Sequence, residues 1–328
     1  MFKQRRCLIK SAAAGAALGL LPGVGALGQA NYPSRPVRFV VPYPPGGGTD
    51  VIARIAQTRI AESLGQQVII ENRGGAGGSI GTDVVAKSAA DGYTVLFTLS
   101  SHTINAAIYP KLPFNTERDF IAISQVASLP QILVAHPDYP VRNAQDVVKL
   151  ARSKPGTVLY ASVGNGTPGH LAGELMALTA GVQMTHVPYR GGGPAVADVL
   201  ANQMSLLWVS IPAAAAQVRS GKLRPIAVST LKRAAGFADV PTMAEQGFPG
   251  FEVDSWYAMF APAKTPTSII ERLHKAAAFA CAQADVREKF MQQGAEAVGG
   301  SPADLERIVK AEIVKWTKLA KDAGIKAD

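Results

Sequence analysis

The sequence has little cysteine, little charge and no long apolar run in its main part, and each shortage excludes a class of protein. Only two of 328 residues are cysteine, which excludes a scaffold held by disulfides. Hydrophobic residues make up 48% and charged residues 17%, a balance that excludes a disordered chain. Beyond residue 31, no stretch approaches the ~20 apolar residues of a membrane span. We therefore expect one large or two smaller globular domains with proper cores.

The positive charge of the chain is concentrated at its N-terminus. The formal net charge is +9, but four basic residues lie within the first ten positions and no acidic residue precedes Asp50. From residue 31 onward, 29 basic residues stand against 24 acidic ones, scattered singly apart from Lys232 and Arg233. The basic stripe with interleaved aromatic residues that is typical of nucleic-acid binding is absent. We expect no nucleic-acid partner.

Motifs for metals and nucleotide cofactors are also missing. The histidines show neither H-E-x-x-H nor another paired-ligand spacing, and no cysteine cluster accompanies them; they are His102, His136, His170, His186 and His274. The P-loop pattern G-x-x-x-x-G-K-[ST] does not occur. The sequence therefore predicts neither a metal nor a cofactor.

Residues 1–30 have the features of an export signal. The first ten residues are basic, residues 11–21 form a short apolar stretch, and Gly28 and Ala30 provide small residues for a signal peptidase. The apolar stretch is about half the length of a spanning helix, which argues against the alternative of a membrane anchor. Residues 5–10, RRCLIK, resemble the twin-arginine export pattern, although paired arginines occur in ordinary signals too. We expect a periplasmic protein whose mature chain begins at Asn31.

Apolar stretches of strand length alternate with segments of helical period along the mature chain. A first series predicts strands at 37–42, 67–71 and 94–99, with helices at 50–64, 80–89 and 103–109. A second series predicts strands at 131–135, 158–162, 184–187, 205–209 and 223–228, with helices at 144–153, 170–179, 195–202 and 213–220. This alternation is typical of mostly parallel sheets flanked by helices, which predicts an α/β protein.

The segment from residue 267 onward is helical in pattern and contains no predicted strand. Ser301 is a plausible N-cap for its long last helix. Because helices alone need a sheet to pack on, we expect this tail to return to the first series, with chain crossings near 128–131 and 254–257. The predicted organisation is two lobes with a ligand cleft between them: residues 31–130 together with 256–328, and residues 131–255.

Several predicted strands end in turns rich in glycine, serine or threonine that lead directly into helices. The turns are residues 44–50, 73–82, 100–103, 163–170 and 189–194. Free N–H groups and the positive end of a helix dipole face one point at such a turn, which suits a carboxylate or a phosphate. Any one of these glycines can equally serve turn geometry. Five turns at one side of the sheets favour a binding site.

Two literal motif matches lack the context that their chemistry needs. Residues 164–169 spell G-x-G-x-x-G after a strand, but no acidic residue about 20 positions later is available for a ribose. Residues 77–81 spell G-x-S-x-G, yet residues 72–76 separate them from the preceding strand, whereas a nucleophile elbow turns directly off its strand. Neither a dinucleotide site nor a hydrolase elbow is favoured.

Three side chains in these turns have two interpretations each, and a fourth is of interest for its charge. His102 and His170 could donate hydrogen bonds to an anionic ligand or could cap their helices. Asp50 could start a helix, where the dipole favours it, or could accept from a ligand ammonium, amide or hydroxyl. Arg190 is the cation of interest, because it lies in a motif, VPYRGGG at 187–193, that echoes VPYPPGGG at 41–48. The echo indicates two related lobes, or a chance similarity between glycine-rich turns.

Taken together, the motifs resemble the Bug-type periplasmic solute-binding proteins of tripartite tricarboxylate transporters. The resemblance covers the whole chain and is carried by YPSRP at 32–36, PYPPGGGTD at 42–50, ENRGGAGG at 71–78, DGYT at 91–94, VPYRGGGPA at 187–195 and the crossing at 256–262. It implies a type II periplasmic binding protein fold whose lobes close on a carboxylate held by backbone groups and ordered waters. It also implies a receptor, not an enzyme, that delivers a small organic anion to membrane permease subunits.

The resemblance and the turns together give a set of ligand-binding candidates. The candidates are Tyr43, Gly46, Gly47, Gly48, Thr49, Asp50, Ser79, Ser101, His102, Ser162, Gly164, Gly166, Thr167, His170, Tyr189, Arg190 and Gly192. The family serves dicarboxylates, tricarboxylates, amino acids and aromatic acids, so the ligand stays open, and a monomer is expected. Two alternatives are an exported serine hydrolase that uses Ser79 or Ser162 with His170, and a binding protein that serves a sensor kinase.

Overall fold

The first part of the chain forms a parallel β/α arrangement. The structure is a computed structural model that describes residues 32–109 and 111–325; the predicted export signal lies outside these residues. Strands β1 (Val37–Val41), β2 (Val68–Asn72) and β3 (Thr94–Leu99) are followed by helices α1 (Gly48–Leu64), α2 (Ser79–Ala86) and α3 (Ser101–Ile108). β1 pairs in parallel with both β2 and β3, which aligns the carboxyl ends of the three strands. The turns that open α1, α2 and α3 therefore share one edge of this first sheet.

A second sheet repeats the arrangement. It contains β5 (Leu159–Ser162), β6 (Thr185–Pro188), β7 (Leu206–Ser210) and β8 (Arg224–Val228), and β5 pairs in parallel with β6 and β7. Helix α4 (Ala144–Ser153) precedes β5, and helices α5 (Pro168–Ala180), α6 (Gly192–Leu200) and α7 (Ile211–Arg219) connect these strands in turn. The Asn143 side chain caps α4 by accepting from the Asp146 N–H at 2.8 Å.

Two long antiparallel strands connect the sheets. β4 (Phe120–Ala135) is 16 residues long and pairs with β9 (Asp254–Pro262) up to Pro130, then with β7 from Gln131 onward. β9 also pairs with β3, which places Tyr257 opposite Leu99 at the carboxyl end of β3. The change of partner falls at the predicted first crossing. The division into lobes at residues 130/131 and 255/256 stays a prediction.

The C-terminal segment differs from the prediction in one respect. Helices α8 (Thr267–Ala282), α9 (Ala284–Gln292) and α10 (Pro302–Ala323) form as expected, and the Ser301 side chain caps α10. The expectation of no strand was wrong, because β10 (Glu296–Ala297) pairs antiparallel with β4. The tail returns to the first sheet as expected, and it also reaches the second sheet. Leu305 and Val309 pack on the first sheet, whereas the last turns of α10 pack in the core of the second sheet.

Candidate ligand-binding cleft

The Asp50 carboxylate fixes the conformation of the turn between β1 and α1. It accepts from the Gly46 N–H (2.9 Å), from Arg54 Nε (2.9 Å) and from Asn72 Nδ2 (3.0 Å). Burial opposes the charged form, but the bonds from Arg54, Gly46 and Asn72 outweigh it and lower the pKa of Asp50. Both oxygens are occupied by the protein, so Asp50 shapes the turn, as the helix-start interpretation has it.

Tyr43 connects this turn with those that open α2 and α3. Its buried hydroxyl donates to Gly77 O at 3.0 Å and is hydrogen-bonded to Ser101 Oγ. Burial raises the pKa of Tyr43, so the hydroxyl stays neutral. Asn105 Nδ2 also donates to Gly77 O, at 3.0 Å. Three turns of the first sheet are thus fixed relative to one another before any ligand arrives.

Ser162, Thr167 and His170, which the sequence predicted as ligand contacts, instead hydrogen-bond to the backbone of the turn after β5. Ser162 Oγ accepts from the Gly164 N–H at 3.1 Å, and Thr167 Oγ1 donates to Gly164 O at 2.7 Å. His170 Nδ1 accepts from the Gly166 N–H at 3.3 Å. These bonds turn the backbone of residues 163–165 outward, toward the turns of the first sheet.

Two histidines stack beneath this turn. The rings of His170 and His186 are parallel, with centroids 4.1 Å apart, and Ser162 Oγ is 2.7 Å from His186 Nε2. Burial lowers the pKa of His170 to about 4. Burial, with the neighbouring His170, lowers the pKa of His186 to about 3. Both rings are neutral near pH 7 and act as packing and hydrogen-bonding groups.

An inner pocket of about 20 Å³ lies where helix N-termini from both sheets meet. Gly47, Gly48 and Thr49 contribute from the start of α1, Gly192 from the start of α6 and Ser210 from the N-cap of α7. The volume suits about one water-sized group. The N-termini of three helices therefore direct their positive dipole ends and free N–H groups at a space the size of one oxygen atom.

The Tyr257 hydroxyl completes the inner pocket. The side chain is fully buried on β9, and burial raises its pKa to about 12. The hydroxyls of Ser210, Ser255 and Thr49 lie around it, yet none of the described residues forms a hydrogen bond with it. A buried hydroxyl without a partner is costly, so this one is available to a ligand or to a water.

An outer cavity of about 290 Å³ adjoins the inner pocket and shares Tyr43, Pro44 and Val163 with it. Its wall from the first sheet includes Tyr109 and the left-handed turn at residues 75–78. The wall from the second sheet is formed by Val163, Gly164, Asn165, Pro188, Tyr189 and Arg190. The walls nearly touch, since a Cβ on Gly77 would lie 2.4 Å from Asn165 O. The described residues thus enclose a cleft between the two sheets.

The structure brings about half of the predicted site residues to this cleft. The residues that line one or both cavities are Tyr43, Gly47, Gly48, Thr49, Gly164, Tyr189, Arg190 and Gly192. The residues that lie behind the lining or beside it are Gly46, Asp50, Ser79, Ser101, Ser162, Gly166, Thr167 and His170.

His102 lies apart from both cavities. Its ring packs between Phe120 and Phe260, with centroids 4.9 Å and 4.7 Å away, and stacks near Phe114. It does not cap α3, because neither ring nitrogen has a hydrogen-bond partner among the described residues. Burial lowers its pKa to about 3. The structure thus fits neither predicted role for His102, because its ring packs within an aromatic cluster behind α3.

Sequence reasoning missed Tyr257, Ser210 and Tyr109, which all line the cleft, whereas Asn165 lies in the predicted turn at 163–170. Ser210 had a usable signal, because a serine two positions before Pro212 is typical of a helix start. Tyr257 had none, since its place depends on β9 pairing beside β3. The hydrolase alternative finds no support in the geometry. Ser162 is fully buried beneath the lining and bonds to His186, not to His170.

A family model described as the tripartite tricarboxylate transporter family receptor matches residues 52–325. The chain belongs to this family. It is 41% identical over 298 residues to the UPF0065 protein in the tcbD-tcbE intergenic region of Pseudomonas sp. (strain P51), which covers 90% of this chain and 89% of that protein. It is 38% identical over 298 residues to protein BugT of Bordetella pertussis, and the match covers 90% of this chain and 91% of that protein. The resemblance to Bug-type receptors is therefore confirmed.

Solved structures agree in fold. The periplasmic binding protein BugD superposes with a TM-score of 0.86 at 34% identity, over 90% of this chain and all of that one. The structure of R. palustris Rpa4515 with adipate superposes with a TM-score of 0.87 at 37% sequence identity, over 90% of this chain and 99% of that one. MatC from Rhodopseudomonas palustris with bound malate superposes with a TM-score of 0.84 at 32% sequence identity, over 88% of this chain and 99% of that one. The two-lobed periplasmic binding protein fold is confirmed, and the family consists of solute-binding receptors.

Two properties of the described residues bear on partners. None of their helices is long and apolar enough to cross a membrane. No group of three or more His, Cys, Asp or Glu side chains among them is arranged to hold a metal ion.

Proposed function

We propose that this protein is an exported receptor that captures a small organic carboxylate between its lobes and delivers it to the permease of a tripartite tricarboxylate transporter. The observation that carries the proposal is the inner pocket. Three helix N-termini and an unpartnered Tyr257 hydroxyl converge on a space for one oxygen atom. Two relatives of known structure hold adipate and malate, which are carboxylates.

The free energies of hydrogen bonds and helix termini are large enough for carboxylate binding without a buried arginine. An affinity of about 1 μM requires roughly 8 kcal/mol. Hydrogen bonds to a charged group contribute about 1.5–3 kcal/mol each, and each helix terminus adds about 0.3–1 kcal/mol. Three or four such bonds from Gly48, Thr49 and Tyr257 approach that gross figure, from which ordering costs subtract. Gly192 and Ser210 line the same pocket from the second lobe, so a ligand that contacts both walls favours the closed state.

The decisive experiment removes the Tyr257 hydroxyl. In calorimetric titrations with adipate and malate, we expect Tyr257→Phe to weaken the better ligand about 10- to 100-fold, because one hydrogen bond to a carboxylate is lost. Tyr139→Phe is the matched control, since Tyr139 is half-buried beside the core of the second sheet and lines neither cavity. Equal affinities in the wild type and Tyr257→Phe would contradict the proposal.

A further inference from the structure

We infer that the ligand is an organic acid with an apolar body and no ammonium group, so that the receptor rejects amino acids; this rests on the proposed function. The side chains along the outer cavity are aromatic or aliphatic, chiefly Tyr43, Tyr109, Val163 and Tyr189. Among the described residues, Arg190 is the one charged side chain that lines either cavity, and no Asp or Glu does so. The cleft thus offers anion-binding groups and an apolar surface.

The carboxylates nearest the cleft are already engaged. Asp50 accepts from the Gly46 N–H, Arg54 and Asn72. Asp198 accepts from the Tyr189 hydroxyl at 2.7 Å. Asp254 accepts from Ser128 Oγ at 2.5 Å and from the Ser255 N–H at 2.8 Å. Each of the three thus already serves a contact within the protein.

Two backbone acceptors of the cleft walls are engaged as well. Gly77 O accepts from both the Tyr43 hydroxyl and Asn105 Nδ2. Gly164 O accepts from Thr167 Oγ1 and Ser162 Oγ. An ammonium group has three donors that need acceptors when water is removed. Since no Asp or Glu of the described residues lines either cavity, an ammonium group buried in this cleft would lack an anionic partner, a penalty that a carboxylate with an apolar body avoids.

Pairs of acids that differ only by the ammonium group test the inference. The pairs are succinate with L-aspartate, glutarate with L-glutamate, and 3-phenylpropionate with L-phenylalanine, each titrated into the full-length mature protein. We expect the acid without the amino group to bind at least 10-fold more tightly in every pair that binds, which equals about 1.4 kcal/mol. Amino acids that bind as tightly as their partners would overturn this inference and leave the proposed function intact. If no carboxylate of any kind bound, both would fail.

A variant that adds an acceptor makes the test independent of the starting affinity. Asn165→Asp places a carboxylate in the cavity wall, whereas Asn143→Asp makes the same change at the exposed N-cap of α4, where aspartate is equally favoured. We expect Asn165→Asp to shift the ratio of succinate to L-aspartate affinity at least 10-fold toward L-aspartate. Asn143→Asp should leave the ratio unchanged. An unchanged ratio in Asn165→Asp would overturn the claim that the lack of an acidic side chain sets the preference.

Discussion

Gly48 determines how closely the two lobes approach at the inner pocket. A Cβ at this position would lie 2.1 Å from Ser210 Oγ and 2.8 Å from the Tyr257 hydroxyl, far inside van der Waals contact. Its backbone is not left-handed, so alanine there is disfavoured by space and not by φ. The absence of a side chain at Gly48 therefore permits the N-terminus of α1 to meet the N-cap of α7.

We expect Gly48→Ala to weaken adipate or malate binding at least 10-fold while the protein remains folded, because the added methyl group holds the lobes apart. Gly193→Ala is the matched control: Gly193 lies one residue after Gly192 in α6, has no atom within 4 Å of an added Cβ and has no left-handed φ. Calorimetric titration gives the affinities, and circular dichroism checks folding. Unaltered affinity in Gly48→Ala would show that this contact does not limit closure.

At the scale of elements, α10 links the two sheets. Near its middle, Glu312 accepts from Thr103 Oγ1 at 2.7 Å and from Trp256 Nε1 at 2.9 Å, so it fixes the helix to α3 and β9. Burial raises the pKa of Glu312 despite these bonds. One turn later, Trp316 is 1% exposed in the core of the second sheet. The helix thus packs against both sheets.

Truncation of Trp316 tests this link. Trp316→Ala should lower the free energy of unfolding by about 3–5 kcal/mol, because it leaves a large cavity in a packed core. Val314→Ala, at a side chain that is 71% exposed on the same helix, should change it by less than about 0.5 kcal/mol. Urea unfolding of both variants measures the difference. Similar stabilities would mean that the end of α10 is not part of the core.

For the whole molecule, stability should depend on pH through buried histidines. The pKa values of His102, His170 and His186 are lowered to about 3, 4 and 3, whereas an unfolded histidine titrates near 6.5. Between these values the unfolded chain binds more protons than the folded one, so stability falls as pH drops below 6.5. Burial raises the pKa of Asp254 and Glu312, so these carboxyl groups add stability as pH falls, opposite to the effect of the histidines.

A comparison of variants isolates one histidine from these opposing groups. His102→Leu should reduce the loss of stability between pH 6 and pH 4.5 by up to about 1.4 kcal/mol per pH unit, the effect of one proton. Leucine keeps the apolar contacts with Phe120 and Phe260 that surround the ring. Urea unfolding at several pH values gives the slopes. Parallel curves for the wild type and His102→Leu would contradict the assignment of a neutral, unpartnered His102.

Much of the element order could be predicted from the sequence, because local patterns specify it. Helix α4 and strand β3 have the predicted bounds, and the other parallel strands differ by one or two residues. The long strands β4 and β9 were missed in part or whole. Pro130 lies inside β4 and the β4–β9 register shifts twice, so the regular alternation that marks a strand is broken there.

The sequence alone determined that this chain forms glycine-rich turns at strand ends and that it belongs to the tripartite tricarboxylate transporter receptor family, since turn chemistry and motifs are local. Only the tertiary structure decided which groups meet. Gly48, Ser210 and Tyr257 are separated by up to about 200 positions and come together because β9 lies between β3 and β4. The structure also decided that Asp50 and His170 support the cleft from behind. Their hydrogen-bond partners depend on how distant segments pack, which no local pattern encodes.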